Sequence, residues 1–365
     1  MFTKYKILLL IILSSVILEK AKAQDYQEMR QYLRSYGTST ATTLNIVNKY
    51  GKVSILQWDK DSVSIKVDIT VRSKDSTKLR SIISSIEVEF QANQYYISAK
   101  TVIGKNLPPL LFDLQNIAQI LTASDSQVTI NYTINAPSYI NIVIDNKYGD
   151  VFANNIRGSF NLTLSNGDFK VNEISGETNI DLKFGNGQII KMINGLFNIS
   201  YAEIKITEAN QLNIISKSSQ VYVDNIGLLK GQSRRDKYFL KKVNFFYCDS
   251  YFSDFNIEQL TNEISINSEY GSISIKKIEK SFRLLNIKSL YTDLDFIFAK
   301  GANYQLELTQ QDVTLNLQPV STIFKDEKIP NSQQIITTGT VGYGSNPSKA
   351  RIEAKNCNVN ITNTN

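Results

Sequence analysis

The chain has 365 residues, of which 42% are hydrophobic, 10% aromatic and 20% charged, and its formal net charge is +6. This composition excludes an intrinsically disordered protein, which needs few apolar residues and a high net charge. The chain contains no histidine, which excludes histidine-dependent catalysis and histidine metal ligation. The length suffices for two domains, or for one domain that continues into an extended repeat array.

Residues 1–23 have the pattern of a secretory signal peptide. Two lysines precede an apolar core at 7–18, which is too short to span a membrane. An A-x-A cleavage site at 21–23 leaves Gln24 as the first residue, and cleavage lowers the net charge to +3 because four lysines and one glutamate are removed. The signal predicts export to the periplasm, the outer-membrane surface or the extracellular space. The weak charge argues against a nucleic-acid partner, and no later stretch predicts a transmembrane segment.

Residues 24–137 are predicted to form a β-rich N-terminal region. The residues at 25–36 indicate an extended lead-in strand, and the strict alternation of apolar and polar residues at 63–71 indicates one long strand. Asp75 is predicted to cap a short helix at about 76–85, because apolar residues recur there at helical spacing.

Residues 110–121 interrupt the β pattern, since their apolar side chains also recur at helical spacing. Two interpretations stay open for this predicted helical insertion. It is either a helix that docks on the β structure or caps its end, or a contact surface for a membrane or a protein partner. The segment carries no Lys or Arg, which argues against an anchor to anionic lipids.

A short turn recurs along the chain and organises residues 138–365, which are predicted to form a repeat array continuous with the preceding region. It reads Asn-Lys-Tyr-Gly at 48–51 and at 146–149, and Ser-Glu-Tyr-Gly at 268–271. Its glycine is predicted to take a positive φ, which costs glycine no steric energy. Further cognate turns are predicted at Gly167, Gly187, Ala202, Ser219, Phe239, Ser253, Thr292 and Gln311. The main structural turn residues are Tyr50, Gly51, Tyr148, Gly149, Gly167, Gly187, Tyr270 and Gly271.

These turns follow one another at intervals of 14 to 21 residues, and the stretches between them alternate apolar and polar residues. A period near 20 predicts a solenoid, and alternation predicts strands with one buried face. Several repeats contain a second break, at Gly158, Gly176, Gly195 and Gly227. The predicted fold is therefore an all-β, single-chain β-solenoid of about ten coils, each with two short strands and two turns. An antiparallel sandwich or meander is the alternative.

The end of the chain is predicted to close this array with strands at 350–354 and 359–361. Cys248 and Cys357 lie on strand-like segments of different repeats. They are therefore predicted to be isolated buried thiols, with a disulfide as the alternative in an exported chain.

Basic residues cluster between 230 and 242 and form a candidate contact for a polyanion, such as lipopolysaccharide or an acidic glycan. The candidate residues are Arg234, Arg235, Lys237, Lys241 and Lys242. The ordinary alternative is a solvated loop and coil edge, because strand alternation would spread these side chains over both faces.

Carboxylate pairs are the only pattern that suggests catalysis, of the kind found in glycan-cleaving β-helix enzymes. Asp293 and Asp295 point to the same side of a predicted strand, and Asp249 and Asp254 are close in sequence. Acids on the wet face of a strand are ordinary, however, and the chain has no phosphate-binding glycine loop and no metal-spaced cysteine set. The expectation is a protein that is not an enzyme and carries no cofactor or metal.

The signal peptide, the repeated turns and the closing segment at 341–354 resemble a bacterial family known as "putative adhesin", common in envelopes of Bacteroidetes-type bacteria. Its members repeat Lys-Tyr-Gly-Asp-Val turns such as residues 147–151, and the likeness covers roughly residues 30–365. In this chain Tyr is kept at 50, 148, 201, 238, 270 and 291, but is Asn at 166 and 186. The resemblance implies a β-solenoid related to toast-rack-like domains, exported to the periplasm or cell surface.

The leading hypothesis is a non-enzymatic envelope protein that uses a rigid β-solenoid as an adhesin or scaffold. The alternatives are a periplasmic sensor or modulator that docks a membrane protein, and a glycan-active enzyme. The long flat faces of a solenoid suit extended partners, such as a cell-surface polysaccharide or another envelope protein, better than a small molecule. Exposed Tyr, Asn, Lys and Thr at coil-to-coil spacing are expected to stack on sugar rings and bond to their hydroxyls.

Overall fold

The computed structural model describes residues 25–104, 126–318, 323–343 and 345–364. The predicted signal peptide at 1–23 and the predicted helix at 110–121 lie outside these residues. Within the described ranges the chain forms 18 strands and a single helix. No helix in this part of the chain is both long and apolar enough to cross a membrane.

The helix, α1, spans Ser76–Ser84. The strands, in chain order, are β1 Tyr26–Gly37, β2 Thr43–Lys49, β3 Val53–Gln57, β4 Ser62–Ser73, β5 Ile86–Ala92, β6 Tyr96–Ile103, β7 Ser126–Ala136, β8 Asn141–Lys147, β9 Val151–Ile156, β10 Phe160–Ser165, β11 Phe169–Lys217, β12 Gln220–Arg234, β13 Lys237–Ile278, β14 Leu284–Phe298, β15 Tyr304–Gln318, β16 Lys325–Lys328, β17 Ile335–Val341 and β18 Ser348–Asn363.

The middle of the chain is a parallel β-solenoid, as predicted. Strand β10 pairs in parallel with β8 on one side and with residues 178–183 of β11 on the other. Strand β9 pairs in parallel with β3 and with the start of β11. The chain therefore runs along one wall, turns a corner, returns along a second wall and begins the next coil. The long strands β11 and β13 pass through several coils without a break.

Alternating side chains from both walls fill the interior of the solenoid. In one coil, Phe160, Leu162 and Leu164 from the first wall and Phe169 and Val171 from the second wall are at most 2% exposed. The next coil repeats this pattern, so each coil buries its apolar side chains against its neighbours. This stacking, rather than any single coil, forms the hydrophobic core.

The predicted helix cap is confirmed. The Asp75 carboxylate accepts hydrogen bonds from the backbone N–H groups of Thr77 (2.7 Å) and Lys78 (3.2 Å), which have no partner inside the helix. The buried side of α1 consists of Leu79, Ile82 and Ile83, and the helix packs against β4.

The C-terminal strand of the chain is not the last strand of the stack. Strand β18 pairs in parallel with β14 on one side and with β15 on the other. The prediction that 350–354 and 359–361 close the array is therefore wrong, because this segment is inserted before the last coil. The last coil is β15, and β17 pairs antiparallel with its first half. Sequence order could not reveal this, since an inserted coil and a terminal coil bury the same alternating residues.

The other end of the stack changes from parallel to antiparallel pairing. Strands β2 and β3 stack on β8 and β9 and form the first complete coil. Beyond β3, one wall continues through β7, which is still parallel to β3, and then through β4 and β1, which pair antiparallel. The predicted lead-in strand at 25–36 is confirmed as β1, the outermost strand of this wall.

Both cysteines are free and buried, which confirms the prediction for Cys248 and Cys357. Burial raises the pKa of both thiols. A thiol that stays protonated is a poor nucleophile, so these residues serve as apolar side chains of the core.

Candidate functional site

One corner of each coil consists of a residue in the left-handed backbone conformation. At the first two turns this residue is the tyrosine, with φ of 63° at Tyr50 and 57° at Tyr148. Among the described residues, strand pairing stacks twelve such residues in one row, here called the aromatic corner. In spatial order they are Tyr50, Tyr148, Asn166, Phe184, Tyr201, Ser218, Arg235, Phe252, Tyr270, Tyr291, Asn356 and Asp312. At about 4.8 Å per step, the row is roughly 50 Å long.

The prediction that the glycine of the turn takes a positive φ is wrong for Gly51, Gly149 and Gly167, although Gly271 does have a φ of 139°. Glycine is required at these positions because a Cβ atom would overlap the backbone of the neighbouring coil. A Cβ atom on Gly149 would lie 2.0 Å from the carbonyl oxygen of Gly51, and one on Gly167 would lie 2.2 Å from that of Gly149. The corner backbones of successive coils therefore pack directly on one another.

The asparagine of the repeated turn supports this close packing. The Asn146 side-chain amide donates hydrogen bonds to the carbonyl oxygens of Gly51 (3.1 Å) and Gly149 (2.7 Å). Asn48 donates in the same way to Gly51 and to Ile130. These carbonyl groups are buried, and a buried carbonyl without a partner would be costly.

Gly187, predicted as a turn residue, is a core position. A Cβ atom there would lie 2.3 Å from the Phe169 ring and 2.6 Å from the Ile204 side chain. These two neighbours fill the space that Gly187 leaves empty. The corner of this coil is Phe184, followed by Gly185, whose absent Cβ would meet the Gly167 carbonyl at 1.9 Å.

The predicted turns at Phe239 and Gln311 are also misplaced. The corners are at Arg235, followed by Asp236, and at Asp312. Tyr238, which resembles the repeated tyrosine, is 1% exposed and belongs to the core. From Tyr148 to Tyr291 the corrected corners follow one another at 18, 18, 17, 17, 17, 17, 18 and 21 residues. The true period is thus more regular than the sequence pattern indicated.

The aromatic side chains of the corner point outward and stack along the solenoid. Tyr148 is 51% exposed and Phe184 is 54% exposed. The stacked pairs have centroid distances of 5.4 Å (Tyr50 and Tyr148), 5.1 Å (Phe184 and Tyr201), 4.6 Å (Phe252 and Tyr270) and 5.0 Å (Tyr270 and Tyr291), with planes within 12° of parallel. Because ring faces contact each other, only ring edges and hydroxyl groups face outward within each stack. Sugar stacking on these faces is thus limited to the ends of the stacks.

The charged residues on the two sides of the aromatic corner are mostly of opposite sign, and the exceptions are Glu269 on the basic side and Lys52 and Lys237 on the acidic side. The residue before each corner residue forms the basic flank, whose cations are Lys49, Lys147, Lys183, Lys217, Arg234 and Lys355. The residue two positions after the corner forms the acidic flank, with Asp150, Asp168, Glu203, Asp254 and Asp293. The Lys49 ammonium lies 4.8 Å from the Tyr50 ring centroid, and that of Lys217 lies 6.0 Å from Tyr201. These basic side chains therefore lie within cation–π distance of the corner rings.

A groove runs beside the basic flank in the later coils. It consists of two hollows of about 420 Å³ and 690 Å³, which share Asp249 and Ser250 in their lining. The smaller hollow is lined by Lys217 and Arg234, and the larger one extends past Lys355. Seven coils border this groove, which makes it roughly 30 Å long.

The structure does not bring the five candidate polyanion residues together. Arg234, Arg235 and Lys237 lie at the aromatic corner. Lys241 and Lys242 lie at the far end of the next strand, where Lys242 pairs with Asn225. Lys241 forms an ion pair with Asp224 at 2.8 Å, which raises the pKa of its ammonium group.

The carboxylates considered for catalysis bond to polar groups of neighbouring coils. Asp293 accepts hydrogen bonds from the backbone N–H and side-chain amide of Asn358 (2.8 and 3.1 Å), and Asp295 accepts one from Asn360 (2.7 Å). Asp249 accepts one from Asn267 at 2.7 Å. Among the described residues, no cluster of three or more Cys, Asp and Glu has the arrangement of a metal site.

No protein-family model and no curated protein matches the chain. Among solved structures, one neighbour is described as a "putative cell adhesion protein" from Clostridium sporogenes. It is 10% identical, with 92% of this chain and 100% of that chain covered, and its TM-score is 0.18. A likeness at this level carries no argument about function.

Proposed function

We propose that the chain is a non-enzymatic, exported envelope protein that acts as an adhesin or scaffold and holds an extended polysaccharide along the basic flank of the aromatic corner. The observation that carries this proposal is the row of outward-facing corner residues beside an open groove roughly 30 Å long. A ligand of similar linear form can contact many coils at once, and weak contacts then add up along the polymer.

The charges of the groove support a ligand with acidic groups at one end of the bound segment. Lys217 and Arg234 are exposed and line the smaller hollow, where Asp249 is the exposed acid, and the exposed Arg235 is the corner residue next to Arg234. Toward the larger hollow the charges balance, because Lys288 forms an ion pair with Glu353 at 3.2 Å. Neutral sugar hydroxyls suit this second part, since they pair with both charged and polar side chains.

The geometry of the carboxylates supports a binding role over a glycosidase role. A general acid needs a carboxyl group that is free to meet the substrate. Asp293 and Asp295 instead bond along the wall to asparagines of the adjoining coil.

The proposal is tested by retention of the purified protein on an immobilised polyuronate and on a neutral glucan, at low and at high salt. We expect retention on the polyuronate that falls as salt screens the charges. The variant Tyr270→Ala/Tyr291→Ala removes two stacked corner rings beside the groove and is expected to lower retention on both polymers.

The matched control is Tyr222→Ala/Phe239→Ala. These two rings are also stacked, at 4.7 Å, but they lie on the outer face of the second wall and away from the groove. Retention that is absent in the unchanged protein, or that both double variants lower equally, would contradict the proposal.

The export and surface location belong to the same proposal and have their own test. Intact cells are treated with protease and then fractionated. An adhesin is digested on intact cells, whereas a periplasmic sensor is digested only after the outer membrane has been opened.

A further inference from the structure

Strand β1 has an open edge at the antiparallel end of the solenoid. It pairs along its whole length with β4, from Tyr26 opposite Ser73 to Gly37 opposite Ser62. Within the described residues no strand pairs with its other edge. Exposed edges are usually blunted by short length, proline, a bulge or charged side chains, and charges of one sign would repel a second copy of the same strand. β1 has 12 residues, no proline, an unbroken register and charges of both signs.

The two faces of β1 differ in character. Met29 and Leu33 point away from the interior, and they are 64% and 60% exposed. Glu28, Arg30 and Arg34 alternate with them and lie on the opposite face, which is also the face of the half-buried Tyr32. An open strand edge with exposed apolar side chains can pair with another chain.

We propose that β1 pairs antiparallel with β1 of a second copy of this chain, about a two-fold axis at Gln31. Such an axis stands perpendicular to the sheet, so each face of one strand continues into the same face of the other. Only registers centred on a residue satisfy this condition, because a shift by one residue would join opposite faces. The registers near the middle of β1 are centred on Arg30, Gln31 or Tyr32.

The side chains select the register centred on Gln31. In this register Glu28 lies opposite Arg34 of the second copy, and by symmetry the same pair forms twice. Met29 lies opposite Leu33 of the second copy, so both exposed apolar side chains find apolar partners. Opposite charges and apolar pairs across two strands are stabilising.

The two neighbouring registers are both unfavourable. A centre at Arg30 places this arginine opposite its own symmetry copy. A centre at Tyr32 places Arg30 opposite Arg34. Like charges directly opposite each other destabilise a strand pair, so the sequence of β1 discriminates among the three. The resulting dimer joins two solenoids through their antiparallel ends and continues one wall of each as a single sheet. This inference is independent of the proposed function.

The first test is the oligomeric state of the purified full-length protein, measured by analytical ultracentrifugation over a range of concentrations. We expect a monomer–dimer equilibrium. The variant Glu28→Arg places two arginines opposite each other at both symmetry-related positions, and should raise the dissociation constant about tenfold or more. The double variant Glu28→Arg/Arg34→Glu restores opposite charges and should return it to within about threefold of the original.

The matched control is Glu177→Arg, which reverses an exposed glutamate in the middle of the solenoid and should leave the dissociation constant unchanged. Circular dichroism checks that all variants are folded. The proposal is overturned if the protein is monomeric at every concentration or if Glu28→Arg does not raise the dissociation constant of the dimer. It is also overturned if the double variant does not lower the dissociation constant again.

The second test fixes the register. Oxidation of the Gln31→Cys variant should link two chains, because this residue lies opposite itself across the axis. In the Leu33→Cys variant the two thiols would be roughly 14 Å apart along the strands and should not link. Cys248 and Cys357 are buried and do not interfere. Cross-linking of Leu33→Cys in preference to Gln31→Cys would show that the register is wrong.

Discussion

Two groups of coils build the same left-handed corner with different residues. In the coils around Gly149, Gly167 and Gly185, glycine follows the corner residue and the backbones touch. In the coils around Ser219, Asp236 and Ser253, a polar side chain occupies the same position. The corner residues before both groups have φ between 51° and 60°. The backbone path is therefore the same in both groups, while the means of filling the corner differs.

The polar corners replace close backbone packing by a hydrogen-bond network. Asp236 is 1% exposed, and its carboxylate accepts hydrogen bonds from the hydroxyls of Ser216 (2.6 Å) and Ser233 (2.7 Å) and from the backbone N–H of Ser219 (2.8 Å) and Arg234 (2.8 Å). A buried charge needs this number of donors to be tolerated. The Ser253 hydroxyl accepts hydrogen bonds from Ser233 (2.8 Å) and from the backbone N–H of Asp236 (3.2 Å), so the network links three successive coils.

The length of the coils also varies along the solenoid. From Gly149 to Gly185 the chain advances by 18 residues per coil and carries Gly158 and Gly176 at the second corner, whereas from Gly185 to Ser253 it advances by 17. A Cβ atom on Gly176 would lie 2.0 Å from the Gly158 carbonyl oxygen. A Cβ atom on Gly227, which lies in a 17-residue coil, would lie 2.5 Å from the Asn210 carbonyl oxygen, so backbones approach closely at the second corner in coils of both lengths. A solenoid can change its coil length here because the wall strands keep their register.

The largest effect is expected for Gly149→Ala. The new Cβ atom would lie 2.0 Å from the carbonyl oxygen of Gly51, and that backbone is held by hydrogen bonds on both sides. We expect the free energy of unfolding to fall by about 3 kcal/mol, because the coils must separate to relieve the overlap. Urea denaturation followed by circular dichroism measures the change.

The reverse substitution, Ala202→Gly, serves as the control for Gly149→Ala. Ala202 is the cognate residue of a 17-residue coil and already carries a Cβ atom without a clash. Its loss should cost only about 1 kcal/mol, through chain entropy and one lost methyl contact. Equal losses for the two variants would show that the corners are equivalent and that close packing is not specific to the glycine coils.

A smaller effect is expected for Asp236→Ala, which breaks the network of the polar corners. Four donors lose their acceptor, and the buried hydroxyls of Ser216 and Ser233 have little access to water. We expect the free energy of unfolding to fall by about 2 kcal/mol. The control Asp224→Ala removes an exposed carboxylate that pairs with Lys241, and should cost at most about 1 kcal/mol. A loss for Asp236→Ala no larger than for the control would mean that the network is not stabilising.

The smallest effect, and a gain, is expected for Asn166→Tyr. Asn166 separates the ring of Tyr148 from that of Phe184, and a tyrosine there would join two stacks into one. Ring stacking contributes about 0.5–1.5 kcal/mol. Part of this gain is offset because tyrosine adopts the left-handed backbone conformation less readily than asparagine. We expect thermal unfolding to shift upward by a few degrees. Asn166→Ala, which adds no ring, should shift it downward, and a downward shift for both variants would refute the stacking argument.

The fold class could be predicted because the alternation of apolar residues is local and continuous. Val63 to Val71 and Phe160 to Leu164 each alternate without interruption, and all of these apolar side chains are buried. The helix at Ser76–Ser84 was predictable for a similar reason, since Asp75 and Leu79 lie at the spacing that a capped amphipathic helix requires.

The positions of the corners could be predicted only in part. Where tyrosine and glycine both occur, as at Tyr148, the corner was found, although the roles of the two residues were exchanged. The turn predicted at Gly187 is wrong because a glycine also fits a core position whose neighbours are large. The corner at Arg235 was not predicted because a polar network replaces the glycine there. The residues of that network come from three stacked coils and are far apart in sequence.

The central claim is that the basic flank of the aromatic corner holds an acidic polymer, and one comparison tests it most directly. The affinity of Arg234→Ala/Arg235→Ala for a soluble polyuronate is measured by titration calorimetry beside that of Lys241→Ala/Lys242→Ala, which removes the same charge at the opposite corner. We predict that the first variant binds about tenfold more weakly, since each exposed charge contact contributes up to about 1 kcal/mol, and that the second binds like the unchanged protein. Equal affinities for the two variants would contradict the account, because binding would then follow net charge and not the corner.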